Sequence, residues 1–389
     1  MTETRAIQRV TTPVGDPAWL VTGYDEVKAT LHETRLGRAH RDPENASRMG
    51  RSALFGGPMG TDPEAEAVRH RAMRKQLSPA FSARKMEALR PRVRVIVDEL
   101  LDTLLASPQP VNVHEVLSFP LPALVICELL GVPFADRDDF RRWSDEAADT
   151  VDEQRSRAGL GALWAYMSEL VQRKRREPAD DVVSDLIAGA EAAGEPIEGV
   201  AMLAAGLLFA GHETTVAAID RGLVLLLSHL DQWEALCQDP TLVASAVEET
   251  LRCELPVVAA SRADGGLPRY AATDLDIQGV TVPEGDMVLL GLRSANADEE
   301  QFAAPERFDI TRTPNLHLTF GHGPRFCIGA PLARMELTEV FSALAARCPG
   351  LRLATPAGEL QVQSERLVSG LTSLHLTWPV EDAGEGAHQ

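Results

Sequence analysis

The sequence is poor in the features that would place a protein outside the cell or on a nucleic acid. Its five cysteines, Cys127, Cys237, Cys253, Cys327 and Cys348, are odd in number, widely spaced and include no Cys-x-x-Cys pair. That argues against a disulfide framework, a zinc ribbon or a redox dithiol, and for a reducing compartment. Positive charge is scarce: 38 Lys+Arg against 57 Asp+Glu leave a formal net charge of −19. A nucleic-acid surface is therefore not expected, and a small-molecule or protein partner fits better. No Gly-x-Gly-x-x-Gly follows a strand-like run and no phosphate-loop motif occurs, so dinucleotide and phosphate-loop readings lack support. The N-terminus MTETRAIQRV lacks the apolar core of a signal peptide. The longest apolar stretch, about 200–211, runs into His212 and Glu213 and is too short for a bilayer. The expectation is a cytoplasmic, unanchored protein.

What is present is enough to bury a large core: 389 residues of 44% hydrophobic composition, a length that alone suggests two or three domains. From about residue 25 to 236, apolar residues recur at three-to-four spacing between Pro and Gly punctuation. This predicts helices, among them 83–105, 121–130, 157–176 and 181–188. From about 277 the period shortens. The run from Val280 to Leu290 predicts two strands around a Pro-Glu-Gly turn, and 374–377 predicts another. The fold class expected is mainly α with a small, mainly C-terminal β component, followed by a disordered tail over 381–389.

Two segments carry chemistry. The first, Phe320-Gly-His-Gly-Pro-Arg-Phe-Cys-Ile-Gly-Ala-Pro-Leu-Ala-Arg334, is a glycine-rich loop that delivers one cysteine to the mouth of a predicted helix. A thiolate at Cys327 would be favoured by the helix N-terminus and by Arg325. Gly321, Gly323 and Gly329 leave room for a flat group to approach the backbone, and Phe320 could pack on its face. The second, 200–228, is apolar nearly all round, as suits a helix buried through a helical body. It is interrupted by Ala210-Gly211-His212-Glu213-Thr214-Thr215. Glycine weakens a helix and a threonine hydroxyl competes for a preceding carbonyl, so a bend or opened turn is expected there.

Phe320-x-x-Gly323-x-x-x-Cys327-x-Gly329 resembles the signature of the cytochrome P450 family, and the resemblance covers nearly the whole chain. Glu249-Thr-Leu-Arg252 resembles the family's Glu-x-x-Arg, and Pro305-Glu-Arg307-Phe the segment that completes an ion-paired structural triad. His70-x-x-x-Arg74, Arg269 and Arg325 resemble contacts to haem propionates. The resemblance implies a single catalytic domain of P450 fold over 1–380 and haem b as cofactor. Cys327 would be the axial ligand of the haem iron, where a thiolate favours O–O cleavage. His70, Arg74, Arg269, Arg325, Phe320, Gly321, Gly329 and Gly211 would contact the cofactor. Thr214 and Glu213 would form an acid–alcohol pair, Thr214 hydrogen-bonding the dioxygen under activation and Glu213 relaying protons into a largely dry pocket. His212 is assigned no catalytic role.

By the same resemblance the substrate would be lined by Leu54, Phe55, Met59, Leu207, Ala210, Val257, Val258, Val368 and Leu371, nearly all apolar. That implies a compact or polycyclic apolar small molecule and a natural-product tailoring step. The chain holds no flavin or ferredoxin-like segment, so electrons would come from a separate ferredoxin or flavodoxin with its NAD(P)H reductase. Arg71, Lys75 and Arg334 are candidates for its docking patch. A monomer without membrane or nucleic-acid partner is expected. Two departures from related bacterial sequences stand out: a shorter N-terminal stretch before Ala18, and Ala295-Asn-Ala-Asp-Glu299 where Ala-Asn-Arg-Asp-Pro is common. Three activities compete: insertion of one oxygen atom by hydroxylation or epoxidation; oxidative C–C or C–N coupling or cyclisation on the same haem; and a haem gas sensor, which would not need the Glu213–Thr214 pair.

Overall fold

The computed structural model describes residues 6–50, 56–147, 149, 151–256, 266–363 and 370–379; the predicted tail over 381–389 lies outside them. Twelve helices are used below: α1 Tyr24–Leu31, α2 Pro63–Leu77, α3 Ala83–Ala106, α4 Pro120–Leu130, α5 Arg137–Ala147, α6 Glu153–Arg176, α7 Val182–Ala193, α8 Glu198–Ser228, α9 Leu230–Gln238, α10 Val243–Arg252, α11 Leu292–Asn296 and α12 Ala330–Arg347. Their ends follow local chemistry. Asp62, Ser82 and Asp181 accept backbone N–H bonds at the starts of α2, α3 and α7, and left-handed Gly131 and Gly194 stop α4 and α7. Helix α6 begins before the predicted 157 because Asp152 caps it, accepting from Gln154 and Arg155; its first turn is polar and adds nothing to an apolar period.

Helix α8 is the axis of the core, packed by α4, α6 and α10. It runs unbroken through the glycine and threonines where a bend was expected. The Thr214 hydroxyl donates to the Ala210 carbonyl at 2.8 Å without opening the turn. The apolar run also does not end at His212 as the sequence suggested. The whole helix is long and apolar enough to cross a membrane, but 56% of its most apolar window is buried inside the protein, as befits a core helix.

The β component is less C-terminal than expected. Strands β1 (Ile7–Thr11), β2 (Pro17–Val21) and β3 (Leu36–Gly37) come from the N-terminal end; β4 (Val111–Asn112) pairs with His375–Thr377, which confirms the late strand predicted at 374–377. Strands β5 (Leu267–Ala271), β6 (Leu275–Ile277), β7 (Val280–Val282) and β8 (Met287–Leu290) follow α10. The main sheet runs β1-β2-β8-β5-β3. The two strands predicted around Pro283-Glu-Gly285 are β7 and β8, but they do not form a hairpin: β7 pairs with β6, while β8 pairs parallel to β2 and antiparallel to β5. All four residues of β8 are buried, the pattern of a central strand rather than a hairpin arm.

The end of α10 ties the helical body to the loops that follow. Arg252 donates to both oxygens of Glu249 at 2.8 Å, and to the carbonyls of Asn296 and Pro305 at 2.9 and 2.8 Å. Both side chains are fully buried. The third charged member is not Arg307. Its side chain is 70% accessible and it contributes its carbonyl, whereas Arg312 reaches Glu249 at 3.2 Å. Arg252→Leu should therefore strand a buried carboxylate and cost about 3–5 kcal/mol in a denaturant titration. Arg307→Ala should stay within about 0.5 kcal/mol of the parent, because its exposed side chain makes only a long 3.9 Å pair with Asp309 and its contact with Arg252 comes from the backbone.

Candidate active site

Cys327 sits on a loop that the backbone closes on itself. Gly321 and Gly323, both at φ 70°, turn the chain, and the Cys327 N–H donates to the Phe320 carbonyl at 2.8 Å, just before α12 begins with Pro331 in its first turn. The residue is exposed although its surroundings are closely packed. Burial pushes the thiol above its ordinary value, against the N–H groups of Gly329 and Ala330 and the charges of Arg74 and Arg334, which favour the thiolate. Arg325, expected to provide that charge, points elsewhere. Arg74 Nη1 instead donates to the Phe326 carbonyl at 2.8 Å. Phe320 has the Arg334 guanidinium over its ring at 4.5 Å. A Cβ on Gly329 would lie 3.9 Å from the Cys327 sulfur, so the glycine keeps the space beside it open.

Beside the loop lies a cluster of basic side chains, Arg269 buried and Arg38, His70 and Arg325 half-buried. Arg325 donates to both oxygens of Glu66, at 2.9 and 2.7 Å. Glu66 is held below its usual value, since Arg325 outweighs the burial that would raise it. Burial, then the charges of Arg325 and its neighbours, lower His70 to about 4 and Arg38 to about 10; burial, then Arg38 and Arg325, lower Arg269 to about 9. Glu66, His70 and Arg74 are four residues apart along one face of α2. Among the described residues, three guanidinium groups and an imidazole thus act on one carboxylate. Arg38 and Glu66 were not foreseen; the Glu66–His70–Arg74 spacing was a signal for Glu66, while Arg38 meets Arg269 only through the pairing of β3 with β5.

Along α8, Met202, Gly206, Ala210 and Thr214 form the one exposed stripe on a mostly buried helix. A Cβ on Gly206 would meet nothing within 4 Å. Gly211, expected at the cofactor, faces the other way: a Cβ there would approach Ile126 of α4 at 3.3 Å, so the glycine serves helix packing. Glu213 lies next to the stripe with its carboxylate 3.7 Å from His212 Nδ1, and His212 Nε2 donates to the Phe119 carbonyl at 3.0 Å. Of the predicted substrate residues, Ala210 is on the stripe, Met59 is 45% exposed, and Leu207 and Leu371 belong to the buried core. Leu54, Phe55, Val257, Val258 and Val368 lie outside the described residues.

Among the described residues the basic cluster faces one carboxylate, Glu66, and the open face of α8 is apolar. Haem b meets both conditions with two carboxylates on an apolar macrocycle, and its iron takes a thiolate, so these residues fit it. Fold and site together define a haem-thiolate protein. A family model, Cytochrome P450, matches residues 162–348. Pentalenolactone synthase of Streptomyces exfoliatus is 42% identical over 96% of this chain and 93% of its own length. The cytochrome P450 monooxygenase PikC of Streptomyces venezuelae is 40% identical over 95% and 87%. Among solved structures, the substrate-free P450 PimD, a polyene macrolide antibiotic pimaricin epoxidase, superposes with a TM-score of 0.84 at 40% identity, covering 96% of this chain and 93% of the other. The chain belongs to the cytochrome P450 family. It is a haem b monooxygenase with the P450 fold.

Two of the glycines of α8, Gly206 and Gly211, should respond differently to a methyl group. Gly206→Ala fills open space and removes backbone freedom from the unfolded chain, so stability should rise by about 0.5–1 kcal/mol in chemical denaturation. Gly211→Ala should show no gain, because Ile126 must yield.

Proposed function

We propose that this chain hydroxylates or epoxidises a bulky, mainly apolar natural product, and that Cys327 would hold the haem through its thiolate. The observation that carries the reading is the open stripe Met202–Gly206–Ala210–Thr214, apolar at Met202, small-sided at Gly206 and Ala210, and ending at a hydroxyl beside an acid. The names of the relatives support tailoring of large apolar frameworks: an epoxidase of a polyene macrolide antibiotic, and a "Mycinamicin IV hydroxylase/epoxidase" 39% identical to this chain. Haem, when bound, supplies the redox chemistry that cleaves dioxygen.

The chain's own residues bind, orient and move protons. Arg38, Arg269, Arg325 and His70 would hold the propionates, with Glu66 fixing Arg325; Arg74 supports the loop through the Phe326 carbonyl. In the conformation described, Thr214 gives its proton to Ala210, so its oxygen is free to accept from a water on the open face; rotating the hydroxyl turns it into a donor. His212 must keep its proton on Nε2 to bond Phe119. Its Nδ1 can therefore take a proton from Glu213, and the pair holds one next to Thr214. A ferredoxin or flavodoxin docks on exposed Arg71 and Lys75, one turn apart on α2. Arg334 is not part of that patch, because Glu248 binds it at 2.7 and 2.8 Å. The enzyme is cytoplasmic, works as a monomer, and forms one catalytic domain over 1–380.

Reduced protein under carbon monoxide should show the strongly red-shifted Soret band of thiolate-bound haem, and Cys327→Ala should lose it. A histidine-type band in the folded parent would reject the ligand assignment. Product mass then decides the reaction: a gain of one oxygen supports insertion, and loss of two hydrogens without oxygen identifies the coupling reading. Arg269→Ala should release haem to apomyoglobin about 10-fold faster or more, the size expected for one charge-assisted bond to a propionate.

A further inference from the structure

Two turns beyond Glu213 along α8 lies a second set of titratable groups for which the proton chemistry above has no use. The short helix His114–Ser118 packs against α8 and brings His114 Nδ1 to 2.6 Å from Asp220 Oδ2. Asp220 is 1% accessible, but the His114 side chain is 17% accessible and so reaches solvent from a buried carboxylate. Asp220 lies seven residues after Glu213, two turns along the same face of the helix and about 10.5 Å away along its axis. The ring of Phe119 joins the two ends, edge-on to His212 at 4.7 Å between centroids and tilted to His114 at 5.8 Å. Two buried oxygens on these elements, Asp220 Oδ1 and Ser118 Oγ, have no hydrogen-bond partner among the described residues, which is where buried water is usually found.

We propose that His114, oriented by Asp220, is the solvent-side entry of the path that returns protons to the Glu213–His212 pair. His114 takes a proton from bulk water on its accessible edge and passes one inward through water held at Asp220 and Ser118 to the Glu213 carboxylate. The imidazole returns to neutral, ready for the next proton. The charged groups acting on His114 are Asp220 and Glu213 from α8 and Glu115 from its own helix; all three favour the imidazolium, and they outweigh the burial that opposes it. His114 is thus a relay residue acting through Glu213, and Asp220 a positioning residue. The inference rests on the oxygen-activating role given to Glu213 and Thr214.

Two measurements on the haem-loaded enzyme test it. In the diamagnetic ferrous carbon monoxide form, histidine-labelled NMR should place the His114 midpoint above the usual imidazole value of about 6.5. Glu213→Gln should move that midpoint down. A midpoint indifferent to Glu213→Gln breaks the link and overturns the proposal. This titration is read without turnover, so it stands even where the oxygen-transfer reading fails. In ferredoxin-driven NADPH oxidation with 7-ethoxycoumarin as probe, His114→Gln keeps a donor toward Asp220 but cannot carry the proton. It should slow oxidation by about tenfold at alkaline pH and raise the solvent deuterium isotope effect about twofold, with the carbon monoxide spectrum unchanged. An unaltered pH profile and isotope effect in His114→Gln would mean that His114 only fastens its short helix to α8.

Discussion

A guanidinium buried in the core must be surrounded by acceptors, and the way Arg252 meets that demand sets the position of the thiolate. Its acceptors are Glu249 on its own helix and the carbonyls of Asn296 and Pro305. Asn296 in turn accepts from the Leu318 N–H at 2.7 Å and donates to Thr319 Oγ1 at 2.8 Å, while Thr319 donates to the Leu251 carbonyl. Leu318 and Thr319 lead directly into Phe320, whose carbonyl receives the Cys327 N–H. A buried charge thus fixes, through five hydrogen bonds, where the sulfur lies. Loss of any bond in that chain leaves a desolvated polar group behind, which gives the arrangement its rigidity.

The neighbouring acid completes the clamp from the other side. Glu248 binds Arg334 and His317, which hold its carboxyl down at about 2 although burial alone would raise it. Arg334 lies over the Phe320 ring and favours the thiolate at Cys327. Two consecutive glutamates therefore face two different networks, one holding the approach to the loop and one holding its exit into α12. The substitution in Ala295-Asn-Ala-Asp-Glu299 makes sense in this light. Asn296 carries the hydrogen bonds and is kept, and Asp298 accepts from the Tyr24 N–H, while Ala297 and Glu299 are exposed and bear on nothing in the clamp.

The legible parts of the sequence were those whose chemistry is local. The glycine-rich loop, the apolar central helix and the Glu-x-x-Arg pair each occupy one contiguous stretch, and each stands where expected. The illegible parts depend on which way a side chain turns once the chain is folded. Arg325 is two residues from Cys327 in sequence yet serves Glu66, because the tight turn at Gly323 reverses its direction. Gly211 sits among the oxygen-activating residues yet faces α4, because one helical step rotates it about 100° from Ala210. Arg312 displaces Arg307 in the triad for a similar reason: the loop presents the Arg307 carbonyl to Arg252 and leaves its side chain outside.

The local electrostatics run against the global charge. A chain at −19 concentrates Arg38, Arg269, Arg325 and His70 around one carboxylate among the described residues; burial and the Arg325 charge lower the hold of Arg38, Arg269 and His70 on a proton, and Arg38 adds to the effect on Arg269. A cluster of this kind weakens the fold that contains it until an anion arrives, and the anion's binding energy then includes the relief of that repulsion. A ligand bringing two carboxylates on an apolar plane relieves more of it than chloride or phosphate could, and covers the open face of α8 in the same step. Selectivity for the cofactor accordingly comes from the pairing of an incomplete ionic cluster with an uncovered apolar helix, and neither element would suffice alone.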